Sequence, residues 1–260
     1  NKLLARFIWN LAKKHDVVIS EIEGGNLRNA IPRAASAIIG VPAAAKEDVR
    51  IAMNEYSAVV ENEYKITDPE ITVDVESADA PAQCIDKATA TNLINALYCA
   101  PHGVISMSFE LEGLVETSTN LAAIKMLPNN EILVTTSQRS SVDSRKWDIA
   151  HQVETVFAQA GAKVTHGDGY PGWAPNMNST IMEIARDAYK ELYGITPAIK
   201  AIHAGLECGI IGAAYPGLDM ISFGPTIKHP HSPEEKVNIP SVENFWKILC
   251  ATLENIPVEQ

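Results

Sequence analysis

The chain has 260 residues, of which 46% are apolar, with a formal charge of −11 and no apolar run of the length that spans a bilayer. A chain of this size can bury a full core and is expected to divide into two domains. The acidic balance argues against nucleic acid or an anionic membrane as partner, because phosphate surfaces demand clustered Lys and Arg.

The four cysteines, Cys84, Cys99, Cys208 and Cys250, have no C-x-x-C spacing and read as reduced thiols of a cytoplasmic protein. Residues 1–14 carry Leu4, Phe7, Ile8 and Leu11 at helical spacing. The helix begins abruptly, without an initiator Met, so the chain is expected to start inside a fold. A β-branched run over residues 17–22 ends at Gly24-Gly25, a polar loop reaches Asn29-Ala30-Ile31-Pro32, and residues 34–41 read as a second strand. The spacing predicts a helix over 47–63, and the alternation of Ile71, Val73 and Val75 predicts a strand with one wet face, giving a β-α-β unit.

A helix over 88–97, a strand through Ile105, Met107 and Phe109, a strand through Ile132, Val134 and Thr136, and a helix stopping at Gly161 make the next unit. Residues 163–166 close it as a short run, and Thr117-Ser118-Thr119-Asn120 reads as a hydrogen-bonded turn. Helices alternating with half-wet strands predict an α+β layer with helices on one side of an antiparallel sheet. The Gly- and Pro-dense segment 167–176 marks a domain boundary, placed as 1–169 and 170–260. Beyond it come a helix around Ile181 to Leu192 with Gly194 as its stop, a strand over 198–202, a helix over 206–214 and an apolar strand over 220–223. A last helix is capped by Ser241, with Val242, Phe245, Trp246, Leu249 and Leu253 on its inner face. Apolar strands alternating with helices predict part of a parallel sheet covered on both sides.

Chemistry concentrates near the end, in His203-Ala204-Gly205-Leu206-Glu207-Cys208-Gly209 and in the run from Gly224 through Pro230-His231-Ser232-Pro233. Imidazoles and carboxylates on either side of a short apolar strand are the usual donors of a zinc-like site. These segments, with Gly24-Gly25 and Asn29-Ala30-Ile31-Pro32, resemble the aminoacyl-histidine dipeptidases of the aminoacylase and carnosinase-like group of two-metal peptidases. The resemblance covers essentially the whole chain in the right order.

The resemblance implies an α/β protein built from an α+β lid that forms a homodimer, followed by the C-terminal part of a zinc-peptidase-like catalytic domain. It implies two divalent ions, zinc with manganese or cobalt as alternatives, acting on dipeptides such as Xaa-His. His231 matches the family's C-terminal metal ligand. Asn29 resembles a lid amide that donates to the oxyanion, with a turn residue before Ala30-Ile31-Pro32 as the alternative, and Arg139 a lid guanidinium that grips the substrate carboxylate, with a solvated strand end as the alternative. Gly205 would let a substrate backbone approach closely. Glu207 would receive a substrate ammonium or orient a ligand. His203 reads as a satisfied strand-end histidine, Cys208 as a small buried hydrophobe, and His229 as a loop residue. The family's other ligands and its general base lie in motifs absent from this sequence. The chain is therefore expected to be a fragment with no catalytic residue of its own, inactive alone and without its metals. The alternative is a non-catalytic dimerisation or small-ligand-binding module.

Overall fold

Apolar residues at every third or fourth position set the helices of the first half. The chain is described here by a computed structural model covering residues 1–109, 111–167, 169–173, 176–200, 207–230 and 234–257. Helix α1 (Lys2–Ala12) buries Ala5, Phe7, Ile8 and Leu11, and α2 (Lys46–Tyr64) buries Val49, Met53, Tyr56 and Val60. Helix α3 (Lys87–Cys99) buries Ala90, Ile94 and Leu97 and is capped by Asp86, which accepts from the Thr89 N–H at 3.0 Å. Helix α4 (Asp143–Gln159) buries Ile149, Val153 and Phe157. All four stripes meet Ile19, Ile22, Leu121 and Ile124 of the sheet in one core. The fold class is as expected: helices and an antiparallel sheet.

The sheet is built around one long strand. Strands β1 (Val18–Gly24) and β2 (Ala35–Gly40) form an antiparallel pair, and the β-α-β unit expected from residues 34–41, 47–63 and 71–75 does not form, because residues 71–75 are not a strand. Strand β4 (Val115–Met126) pairs along one edge with β5 (Ile132–Ser140). Its other edge takes β3 (Gly103–Met107) from Thr119 to Val115 and β1 at Ile124. Residues 117–120, expected as a turn, are thus the middle of the central strand. Ile71 and Val73 lie in an unpaired segment whose apolar side rests on the core. Their alternation records burial of one side, which a strand shares with any extended segment.

The described chain falls into two compact units, Asn1–Ser108 with Val115–Gly167, and Phe109–Leu114 with Asp168–Gln260. In the second, α5 (Thr180–Tyr193) is capped by Ser179 and ends at Gly194, whose left-handed φ of 70° suits glycine. Asp219 accepts from the Ile181 N–H at 3.0 Å, and that bond, helped by Ser179, holds its carboxyl below the usual value. Helix α6 (Glu207–Ala214) follows, then a hairpin of β6 (Ile227–Lys228) and β7 (Lys236–Val237), then α7 (Ile239–Glu254).

Three expectations change here. The cap of α7 is Asn238, whose side chain accepts from the Ser241 N–H at 3.1 Å, because the helix starts two residues before Ser241. Residues 220–223 are not a strand: among the described residues no strand lies beside them to complete a ladder, and no parallel sheet forms. Among the described residues, the stripe of α7 packs mainly on α5, with Phe245 against Phe223, and Val242, Trp246 and Leu253 stay exposed. Among the described residues no helix is long and apolar enough to cross a membrane.

Candidate functional site

The polar loop between β1 and β2 is held against β4 by backbone geometry. Gly25 has a φ of 66°, and a Cβ there would run into the Ala122 carbonyl oxygen of β4. Only glycine permits both the dihedral and the approach. The Gly25 N–H donates to the Ala34 carbonyl at 3.1 Å and closes the loop at its base. Near its tip, the Ala30 N–H donates to the Leu27 carbonyl at 3.3 Å. The Asn120 side-chain amide of β4 donates to the Ala30 carbonyl at 2.8 Å and reaches the Arg28 carbonyl at 3.5 Å. Asn29, between those two carbonyls, is exposed.

Strand register decides which side chains share this face. Thr119 accepts from the Gln138 side chain at 3.0 Å, and the Thr117 and Ser140 hydroxyls lie 2.8 Å apart. Thr117 and Thr119 are buried, and Leu121 continues their side into the core beneath the helices. Because side chains alternate along a strand, Ser118 and Asn120 point to the opposite face, away from the core formed with α1 to α4. Arg139 pairs with Ser118 and Ser137 with Asn120, so both belong to that face. The structure therefore brings half-buried Arg139 and the loop of Asn29 to one side of one sheet, at neighbouring positions of β4.

The end of β5 is braced from behind. Glu116, 8% exposed, accepts from Ser106 at 3.0 Å, Thr117 at 3.2 Å and Arg145 at 2.6 Å. Burial pushes its pKa up, but the hydrogen bonds from Ser106, Arg145 and Thr117 outweigh it and hold the carboxyl below its usual value. The Ser141 N–H donates to the Glu116 carbonyl at 3.2 Å, tying down the residues just after Arg139. His102 fills the gap between β3 and β1: its Nδ1 accepts from the Leu121 N–H at 3.0 Å, in place of a ladder partner. Partial burial, with the Lys2 charge behind it, lowers the His102 pKa and keeps the imidazole a neutral acceptor.

The second unit holds the other expected residues. Glu207 is exposed in the first turn of α6, where a carboxylate complements the helix dipole. Cys208 is half-buried, and Gly209 allows α6 to meet another segment, since a Cβ would stand 2.6 Å from the Pro171 carbonyl oxygen. His229, exposed with a φ of 53°, begins the connection from β6 to β7. The base of that hairpin is tied to α7, where the Asn238 N–H donates to the Thr226 carbonyl at 2.9 Å and the Thr226 N–H to the Ser241 hydroxyl at 2.8 Å. His231, Gly205 and His203 lie outside the described residues. Among the described residues no three His, Cys, Asp or Glu side chains come together to hold a metal ion.

Sequence reading missed Asn120, Glu116 and His102 as parts of this arrangement. A signal was present: Thr117, Thr119 and Leu121 against Ser118 and Asn120 is a two-residue period, masked by the polarity of both faces.

Residues 16–255 match the model of Peptidase family M20/M25/M40. The chain is 39% identical over its whole length to the cytosol non-specific dipeptidase of Escherichia coli (strain K12). It is 40% identical, with a TM-score of 0.90, to the crystal structure of aminoacylhistidine dipeptidase from Vibrio alginolyticus. The whole chain is covered in both cases, but it spans only 53% of each relative's length.

Proposed function

The chain belongs to Peptidase family M20/M25/M40, and on that premise we propose that it supplies the substrate-gripping part of a metal-dependent dipeptidase. The observation that carries the reading is that Arg139 and the Asn29 loop lie at neighbouring positions of β4 on one sheet face, opposite the core. A guanidinium presents a planar fork that matches the free carboxylate at a dipeptide's C-terminus. An amide on a pinned loop can donate to the oxyanion that develops on the scissile carbonyl. Fixing one end of the substrate at a carboxylate explains a preference for dipeptides over longer chains. The names of the two relatives support Xaa-His and other unspecific dipeptides as the substrate class.

For the water-activating ions, zinc with manganese or cobalt as alternatives, this sequence offers His231 as a ligand by resemblance. Gly205 and Glu207 belong to the same reading, as close-approach and substrate-ammonium positions. A residence in the cytoplasm agrees with the reduced cysteines and the name of the Escherichia coli relative. A homodimer through the first unit is part of the proposal, and it is supported by β3, which among the described residues pairs only with β4 and exposes Val104, Ile105 and Met107.

The test is hydrolysis by the full-length protein loaded with zinc, manganese or cobalt. Release of free histidine from Xaa-His dipeptides is expected, and the isolated 260-residue chain is expected to be inactive. Intact dipeptides under all three metals would contradict the reading and leave the binding-module alternative.

A further inference from the structure

We infer that Asn120 is a positioning residue of the reaction, acting through Asn29; the inference rests on the reading of that loop as a substrate grip. Asn120 never reaches past the loop. Its side-chain nitrogen is 2.8 Å from the Ala30 carbonyl oxygen and 3.5 Å from that of Arg28, so one amide group reaches the carbonyls of both residues that flank Asn29. Two oxygens could not face each other at such distances, so the nitrogen must be the atom that points at the loop.

That orientation has a consequence inside the strand. Asn120 Oδ1 is buried and, among the described residues, accepts no hydrogen bond. A side chain chosen only to stabilise the sheet would not leave a buried acceptor unmatched, because such an atom loses its water without replacement. The amide is oriented for the loop at the expense of its own strand.

The loop needs this clamp. Residues 25–34 are fixed at the base by Gly25 and Ala34, and by one internal turn bond at 3.3 Å from Ala30 to Leu27. No regular element runs through the tip, so its distance from β4 depends on the Asn120 bonds. Asn120 sits two residues along β4 from Ser118, the partner of Arg139. One strand therefore sets the spacing between the residue that grips the carboxylate and the residue that faces the oxyanion. An error of about 1 Å in such spacing costs on the order of a hundredfold in rate.

The experiment is a double-mutant cycle on the full-length, metal-loaded protein. Asn120→Asp keeps the shape but cannot donate to a carbonyl, and Asn120→Ala removes the clamp without adding charge. Each is expected to lower kcat for an Xaa-His dipeptide about tenfold or more with a smaller change in KM, since a misplaced oxyanion donor fails in the transition state. Asn29→Ala is expected to lower kcat about a hundredfold. In the Asn29→Ala background, either Asn120 variant should cost less than about twofold, because the two act as a unit. Amide exchange over residues 28–31 should quicken in both Asn120 variants while that of β4 is kept.

Full additivity of the two substitutions would overturn the inference and make Asn120 a purely structural residue. So would wild-type kcat and exchange in both Asn120 variants. If Asn29→Ala itself leaves turnover intact, the reading of the loop as a substrate grip fails, an outcome separable from failure of the Asn120 coupling.

Discussion

At Gly25 the chain makes a left-handed turn under the Ala122 carbonyl oxygen, and the loop that carries Asn29 begins there. Substituting Gly25→Ala adds a Cβ that neither the dihedral nor the space allows. The expected cost is about 2 kcal/mol or more, read as a lower thermal midpoint together with weaker dipeptide turnover. An unchanged midpoint would mean that the loop can lift from β4 without penalty. Asn29 and Gly25 were both visible in the sequence, through the Gly-Gly pair and the family-like Asn-Ala-Ile-Pro run. Asn120 was hidden, because its role comes from a partner ninety residues away in the chain.

At the scale of elements, β4 is stitched to its neighbours by two titratable groups that fail in the same direction, Glu116 at its β3 end and His102 in the gap between β3 and β1. The folded Glu116 carboxyl titrates below its usual 4.5, so on acidification the unfolded chain takes up that proton first. The stability it supplies is complete above about pH 4.5 and is lost as pH falls through the lower folded value. His102, usually 6.5 and lowered here, supplies stability that is complete above about pH 6.5 and is lost as pH falls below it. The thermal midpoint of the first unit is expected to drop in two stages. His102→Gln should remove the upper stage, since its amide oxygen can still accept from Leu121, and Glu116→Gln should remove the lower one. Variant curves parallel to the wild type would contradict this assignment.

Legibility followed the same physics. Helices α1 to α4 were readable because their buried residues recur every turn, and α5 and α7 because their apolar residues do, although few of those are buried. Strand β4 was not, since its Thr and Ser neighbours look alike by hydropathy although Thr117 is buried and Ser118 is half-buried. Residues 71–75 erred the other way, having the alternation of a strand with no strand to pair with.

Across the whole molecule, the two units differ in how much they bury. The first holds a continuous core from Ala5 to Phe157, whereas among the described residues of the second, Ala188 is the one fully buried large or small aliphatic side chain. Ile199, Ile210, Phe223, Ile239, Trp246 and Leu253 stay exposed there. The chain spans about half of its relatives' length, 53%, and the proposed activity belongs to the full protein. In the proposed function, the share of the first unit is to hold the free carboxylate end of a dipeptide. The most direct measurement is kcat/KM of the full-length, metal-loaded protein for an Xaa-His dipeptide and for its C-terminal amide, in wild type and in Arg139→Ala. The account predicts that the wild type favours the free carboxylate by about thirtyfold, equivalent to about 2 kcal/mol for a charge-assisted pair, and that Arg139→Ala loses this preference through its effect on the acid alone. An equal preference in wild type and variant would contradict it.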